Sequence, residues 1–125
     1  MTHHITKQQH VAAFMTAMDQ VFDASKEDEI IRLRQRLIME EAGEVYDELE
    51  RPVLNKVALT KELADLLYVV YGTAEQLNLP LEPAFNRVHA SNMSKLDDNG
   101  KPLYREDGKV LKGPNYEKPN LDDLF

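Results

Sequence analysis

Five acidic residues at two short spacings constrain this chain more than any other feature. Glu40, Glu41 and Glu44 form the pattern E-E-x-x-E, and Glu62 and Asp65 form the pattern E-x-x-D. Both groups lie in stretches with helical spacing of apolar residues, mostly at positions where a helix presents leucines to its core. Burying uncompensated carboxylates costs on the order of several kcal/mol per ion, so a positive partner is expected. A divalent cation that prefers oxygen ligands, such as Mg²⁺, fits this requirement.

The acidic residues have two alternative interpretations. They could form a solvent-exposed helix face, as expected for Asp47 and Glu50, or they could pair with nearby bases. The candidate bases are Arg32, Arg34, Arg36 and Lys61. These bases lie mostly off the apolar stripe in which Ile30, Leu33 and Leu37 are followed by Glu41, Glu44 and Glu48. The sequence therefore favours the metal interpretation, because clustered carboxylates are typical of functional sites.

Length and charge restrict the class of protein. The chain has 125 residues, a net charge of −7 and no cysteine. This length predicts one domain over residues 1–125, and the negative charge argues against nucleic acid or an anionic membrane as a partner. The chain has no apolar run of membrane-spanning length. The absence of cysteine fits a reducing compartment, so we expect a cytoplasmic protein.

The periodicity predicts an all-α fold with a C-terminal tail. We expect four helices over residues 6–23, 26–50, 53–77 and 81–95, and Ser25 with Asp28 resembles the N-terminal cap of the second. After residue 96 the chain becomes rich in turn signals, and Asp107-Gly108 predicts a small hairpin. The predicted architecture is a helical bundle over residues 1–96, with four or five helices, followed by a tail over 97–125.

The acidic pattern resembles a known group of enzymes. Glu40-Glu41-Ala42-Gly43-Glu44 with Glu62-Leu63-Ala64-Asp65 resembles the all-α nucleoside triphosphate pyrophosphohydrolases, which include MazG-like proteins and phosphoribosyl-ATP pyrophosphohydrolase. Residues 88–95 and the tail segment 108–116 extend the resemblance, which covers about residues 25–120. A bundle of helices and a house-cleaning role on surplus or non-standard nucleotides are what this resemblance implies.

The resemblance also implies roles for the acids. Glu41, Glu44, Glu62 and Asp65 would bind Mg²⁺, with Mn²⁺ as an alternative ion. Glu40 would be a further ligand through water, or the base that orients the attacking water. Glu40 and Glu41 are thus the candidate catalytic residues. The expected reaction converts a (d)NTP to the (d)NMP and pyrophosphate, in which the cation neutralises phosphate charge and lowers the pKa of water.

The phosphates and the base need further contacts. Candidates for them are Asn92 and Lys95 near the end of the fourth helix, and Lys112 and Tyr116 in the tail, where the tyrosine ring could stack on a base. Arg87 is a weaker candidate. Each of these residues has a structural alternative, because a lysine at a helix end also complements the helix dipole.

Two further functions remain open. The same acids would serve a phosphoribosyl-ATP pyrophosphohydrolase of histidine biosynthesis, and a non-catalytic helical interaction module would bind no Mg²⁺. The resemblance implies a homodimer or a dimer of dimers. An apolar surface formed by Phe14, Met18, Leu66, Val70 and Leu77 also favours self-association.

Overall fold

The computed structural model describes residues 4–125 of the chain. Its helices are α1 (Lys7–Ala17), α2 (Glu27–Leu49), α3 (Lys56–Gln76) and α4 (Leu81–Met93). Strands β1 (Leu103–Tyr104) and β2 (Val110–Leu111) pair in antiparallel fashion, with Leu103 opposite Leu111 and Tyr104 opposite Val110. Short 3₁₀ turns occupy Ala24–Lys26 and Asp122–Leu124. The predicted all-α class with a hairpin in the C-terminal tail is confirmed.

Helix α1 begins as its sequence demands and ends earlier than predicted. The Thr6 hydroxyl accepts a hydrogen bond from the Gln9 amide at 3.1 Å, and the Gln9 side chain accepts one from the Thr6 amide at 2.8 Å. At the other end Asp19 adopts φ of 60°, the left-handed region that stops a helix. The prediction that the helix reaches residue 23 was wrong, because Val21 and Phe22 keep apolar character beyond this turn.

The start of α2 also differs from the prediction. Ser25 lies inside a 3₁₀ turn, and its amide and hydroxyl both donate to Asp23 Oδ1, at 3.0 and 2.6 Å. Lys26 takes the cap position of α2 without a side-chain hydrogen bond, so Ser25 is not the cap. Three acids in the first turn of α2 complement the positive end of its dipole.

Helices α3 and α4 are each slightly shorter than predicted. Asn55 Oδ1 accepts a hydrogen bond from the Ala58 amide at 3.0 Å, which fixes the start of α3 at Lys56 rather than at residue 53. Helix α4 ends at Met93, two residues before the predicted end at 95.

The chain divides into two compact units, Met1–Leu79 and Pro80–Phe125. In the first unit, α3 packs against both α1 and α2. Its buried apolar side chains come from all three helices: Val11, Met15, Ile30, Val45 and Ala74. This packing places two successive helices of the chain, α2 and α3, side by side with their acidic segments in one unit.

Arg34 belongs to the buried stripe of α2, contrary to the expectation that the bases lie off it. The side chain is only 4% exposed, whereas the neighbouring Leu33 is half-buried. Burial of the guanidinium lowers the pKa of Arg34. No ion pair to a carboxylate is formed by this side chain within residues 4–125, so Arg34 does not supply the positive partner of the acids.

In the second unit, α4 is fastened to the tail by polar contacts. Ser91 Oγ donates to the Glu117 carbonyl at 2.7 Å, and the Glu117 amide donates to Ser94 Oγ at 2.9 Å. Arg87 donates to the Asn120 carbonyl at 3.0 Å and forms a bidentate ion pair with Asp123. Helix α4 therefore groups with the tail, and the predicted boundary between residues 96 and 97 falls inside this unit. The single-domain assignment stays a prediction.

Candidate metal centre

Four carboxylates converge where α2 and α3 pack together. Glu41 and Glu44 come from α2, and Glu62 and Asp65 come from α3; one oxygen of each lies within 4.8 Å of the others. The spacing of three residues within each pair places both members on one side of their helix. The structure thus brings together the four residues that the sequence analysis assigned to a metal.

The cluster contains buried oxygens without partners. Glu41 Oε2 and Glu62 Oε2 are both inaccessible to solvent and form no hydrogen bond. Such atoms are costly unless a proton or a cation compensates them.

The repulsion within the cluster changes the proton affinity of Glu62. A hydrogen bond shared with the Glu44 carboxyl raises the pKa of Glu62, and burial and the charges of Glu44 and Asp65 add to this effect, while Lys61 opposes it. The site is therefore short of positive charge.

Lys61 supplies part of that charge. Its Nζ lies 2.7 Å from Asp65 Oδ2 and 3.6 Å from Glu62 Oε1. The hydrogen bond to Asp65 and the charges of Asp65, Glu62 and Glu44 raise the pKa of Lys61. This contact was one of the structural alternatives. It leaves the buried oxygens of Glu41 and Glu62 without a partner, so it compensates only part of the negative charge of the cluster.

The donor set fits a hard divalent cation. It consists of four carboxylate oxygens, with neither histidine nor cysteine among them. Mg²⁺ and Mn²⁺ favour such oxygen ligands, and a dication placed among these atoms would compensate the unpartnered oxygens of Glu41 and Glu62.

Glu40, the candidate for orienting water, lies beside the cluster in sequence and outside it in structure. Its side chain is exposed, and it is not among the four convergent acids. The catalytic role of Glu40 and the ligand roles of its four neighbours stay predictions.

The four candidate substrate contacts all belong to the second unit. Asn92 is exposed and Lys95 is half-buried. The Lys112 ammonium lies over the Tyr116 ring, 4.8 Å from its centroid, so one face of this ring carries a cation. A side chain at Gly113 would come within 2.3 Å of the Lys95 carbonyl, which shows how closely the tail approaches the end of α4. Arg87, the weaker candidate, is engaged by Asp123.

The sequence analysis did not identify an open pocket between α1 and α3. Its volume is about 360 Å³. The lining is mostly apolar and includes aromatic rings from α3, one of which, Tyr68, meets Phe14 edge to face with centroids 5.4 Å apart. The lining residues are Lys7, His10, Val11, Ala64, Leu67, Tyr68 and Tyr71. Tyr68 and Tyr71 at helical spacing were the available signal for this pocket, although helical spacing alone does not separate it from a core.

Comparison with known proteins gives one positive finding. A family model described as phosphoribosyl-ATP pyrophosphohydrolase matches residues 11–92, which include all four convergent acids. A search of curated protein sequences finds no match to this chain. Within the described part of the chain, no helix combines the length and the apolar character that a membrane span requires.

Proposed function

Because this chain belongs to the phosphoribosyl-ATP pyrophosphohydrolase family, and is thus a hydrolase of phosphoric anhydrides, we propose that it converts a (d)NTP to the (d)NMP and pyrophosphate with Mg²⁺. The observation that carries this proposal is the convergence of Glu41, Glu44, Glu62 and Asp65 within 4.8 Å. Two helices with acids three residues apart form a compact set of carboxylate oxygens, the ligand type that Mg²⁺ prefers.

Each acid has a proposed role. The four convergent carboxylates hold Mg²⁺, with Mn²⁺ as the alternative ion. When bound, the ion neutralises phosphate charge and promotes ionisation of water. The carboxylates do not contact the phosphates directly, since like charges repel at short range.

Glu40 is the proposed group that orients the attacking water and accepts its proton, because it adjoins Glu41 and its carboxylate is exposed. The water oxygen bonds to the α-phosphorus, and the bond from that phosphorus to the bridging oxygen breaks. Pyrophosphate leaves with the electron pair of this bond.

The second unit is the proposed source of substrate contacts. Lys95 and Lys112 carry positive charge suited to phosphate oxygens, Asn92 offers an amide, and Tyr116 offers a ring for stacking. The Lys112 ammonium lies over one face of the Tyr116 ring. A nucleotide base could therefore stack on the opposite face, or on the same face after the ammonium moves away.

The family match favours a second candidate substrate, phosphoribosyl-ATP, in histidine biosynthesis. The same acids would cleave the same type of anhydride bond, so the acidic cluster does not distinguish the two substrates. House-cleaning of surplus or non-standard nucleotides is the role that we propose for the first candidate. In both cases we propose a cytoplasmic homodimer or dimer of dimers without a nucleic-acid partner.

The test is pyrophosphate release from a panel of NTPs, dNTPs and phosphoribosyl-ATP, with Mg²⁺ and with EDTA. Glu41→Gln is compared with Asp47→Asn, an exposed acid on the same helix. Because loss of a residue that merely supports a metal ligand costs about 10–100-fold, we expect Glu41→Gln to lower kcat/KM at least 100-fold and Asp47→Asn to leave it unchanged.

The outcomes separate the three functions. Preference for phosphoribosyl-ATP over every (d)NTP would select the second candidate. Absence of pyrophosphate release from every substrate, with unchanged thermal stability on addition of Mg²⁺, would leave the non-catalytic interaction module.

A further inference from the structure

A cationic side chain of the protein, Lys61, already contacts the acidic cluster. The Lys61 ammonium contacts Asp65 Oδ2 at 2.7 Å and approaches Glu62 Oε1 at 3.6 Å. Both acceptors belong to the four carboxylates that converge within 4.8 Å. A divalent ion bound by Glu62 and Asp65 would therefore meet the ammonium at the same carboxylate groups.

The Lys61 side chain has the mobility that exchange requires. It is 66% exposed, whereas the side chain of its partner Glu62 is 17% exposed. A lysine is a point charge on a flexible stem of four carbons, so its ammonium can leave one carboxylate without disturbing the helix. The carboxylates of Glu41 and Glu62 are more confined, because each has an oxygen that is inaccessible to solvent.

The charges of the cluster favour replacement of the Lys61 ammonium by a dication. Four carboxylates in close contact repel one another, and one ammonium offsets part of this repulsion. A dication would offset more of it, and it would also compensate the buried oxygens Glu41 Oε2 and Glu62 Oε2, which lack any partner while Lys61 is in place. Binding of the dication therefore weakens the attraction that holds the ammonium on Asp65.

We propose that Lys61 is a resident counter-cation of the acidic cluster, which stabilises the metal-free protein and is displaced from Asp65 when the divalent ion binds. This inference rests on the proposed metal-dependent function. Its consequence is a site with moderated metal affinity, since every bound ion must first replace the ammonium. Lys61 is thus a positioning residue for Glu62 and Asp65.

The test measures metal binding rather than turnover. Lys61→Met removes the charge and keeps an unbranched side chain, and Lys61→Arg keeps the charge. Lys56→Met is the matched control, because Lys56 is an exposed lysine at the first position of the same helix. Mg²⁺ and Mn²⁺ affinities are measured by titration calorimetry, and melting temperatures are measured in EDTA and in saturating Mg²⁺.

Three results are expected. Lys61→Met binds the ion about threefold more tightly than the wild type, the size of effect that an exposed ion pair provides, and Lys61→Arg and Lys56→Met bind it as the wild type does. In EDTA, Lys61→Met melts about 2–4 °C lower than the wild type. Saturating Mg²⁺ removes this difference.

Failure of the inference about Lys61 can be distinguished from failure of the proposed function. Binding of equal or lower affinity in Lys61→Met would overturn the displacement of Lys61 and leave the proposed function intact. Absence of metal binding by the wild type and by all three variants would contradict the proposed function itself. An unchanged melting temperature of Lys61→Met in EDTA would overturn the stabilising role of the ammonium.

Discussion

Arg34 is the residue whose placement departs most from ordinary core composition. Its guanidinium is buried, its Nη2 lies 3.5 Å from Gln20 Oε1, and its Nε has no hydrogen-bond partner. Gly72 on α3 provides the space, because a Cβ atom at this position would lie 2.6 Å from Arg34 Nη1. A buried charge without a carboxylate partner makes the protein sensitive to any change that moves it.

The contact between Arg34 and Gly72 predicts that the effect of Gly72→Ala on stability changes sign when Arg34 is replaced. Alone, Gly72→Ala should destabilise the protein by about 1–2 kcal/mol, because overpacking against the confined guanidinium exceeds the gain in helix propensity. In an Arg34→Met background the clash disappears, and the same substitution should stabilise by about 0.5–1 kcal/mol. Urea denaturation of the four proteins measures both values.

Gly43 on α2 supplies the control for this cycle, since a Cβ atom there would meet nothing within 4 Å. Gly43→Ala should stabilise the wild-type protein by about 0.5–1 kcal/mol through helix propensity alone. If Gly72→Ala stabilised the wild type as much as Gly43→Ala does, the proposed confinement of Arg34 would be wrong.

At the scale of the helices, apolar spacing predicted which segments are helical but not where they end. The end of α1 depends on the left-handed turn at Asp19, and the start of α3 depends on one hydrogen bond from Ala58 to Asn55. Such local contacts set the helix ends, and the spacing of apolar residues does not predict them. Val21 and Phe22 illustrate this, because their spacing continues the pattern of α1 after the helix has stopped.

The sequence also predicted the proximity of the acids, but it gave their local partner, Lys61, only as one of four candidate bases. Spacing of three residues places Glu41 with Glu44 and Glu62 with Asp65, and antiparallel packing of two successive helices brings the pairs together. The contact from Lys61 to Asp65 has the spacing of four residues that suits an ion pair. The position of a base relative to the apolar stripe does not predict this contact, because both residues lie on the same helix one turn apart.

Helix α2 has a second apolar face, which was not predicted. Of the expected surface, Phe14 and Met18 are 41% and 55% exposed, whereas Leu66, Val70 and Leu77 are half-buried. Met39, Tyr46 and Leu49 are instead 69%, 61% and 60% exposed, and together with Ala42 they follow helical spacing. We call these four residues the outer face of α2. An apolar face of this kind on a surface helix is typical of an interface.

The outer face of α2 predicts the interface of the proposed homo-oligomer. Met39→Glu should lower the molar mass in solution to that of one chain, because a charge buried within an apolar interface cannot be solvated there. Light scattering coupled to size-exclusion chromatography measures the mass. Ala13→Glu, which adds the same charge to an exposed position of α1, should leave the mass unchanged. A Met39→Glu protein with the wild-type mass would exclude the outer face as the interface.

For the molecule as a whole, the division into two units was the feature that the sequence predicted least well. Helix α4 has an apolar pattern like the other helices, so it was grouped with them. Its contacts to the tail are polar and run from Arg87, Ser91 and Ser94 mostly to backbone groups of residues 117–120. Contacts of side chains with distant backbone atoms leave no periodic trace in a sequence.

The whole molecule should also show a pH dependence of stability that Mg²⁺ abolishes. Because the pKa of Glu62 is raised above its ordinary value of 4.5, the folded state retains a proton that the unfolded state has lost. Stability in EDTA should therefore fall as pH increases above this value and through the raised pKa. The lowered pKa values of Asp23, Asp107 and Asp123 act in a different window, since their contribution is lost only below their ordinary value of 3.8.

Mg²⁺ should replace the retained proton, so the stability gained from Mg²⁺ should increase as the pH rises from 4.5, the ordinary pKa of a glutamate, through the raised pKa of Glu62. Melting temperatures measured across this range in EDTA and in Mg²⁺ test the prediction. Glu44→Gln is the decisive variant, because it removes the charge of the carboxyl that shares a hydrogen bond with Glu62, the largest cause of the raised pKa. It should flatten the EDTA curve. Parallel EDTA and Mg²⁺ curves for the wild type would mean that proton and cation do not compete for the cluster.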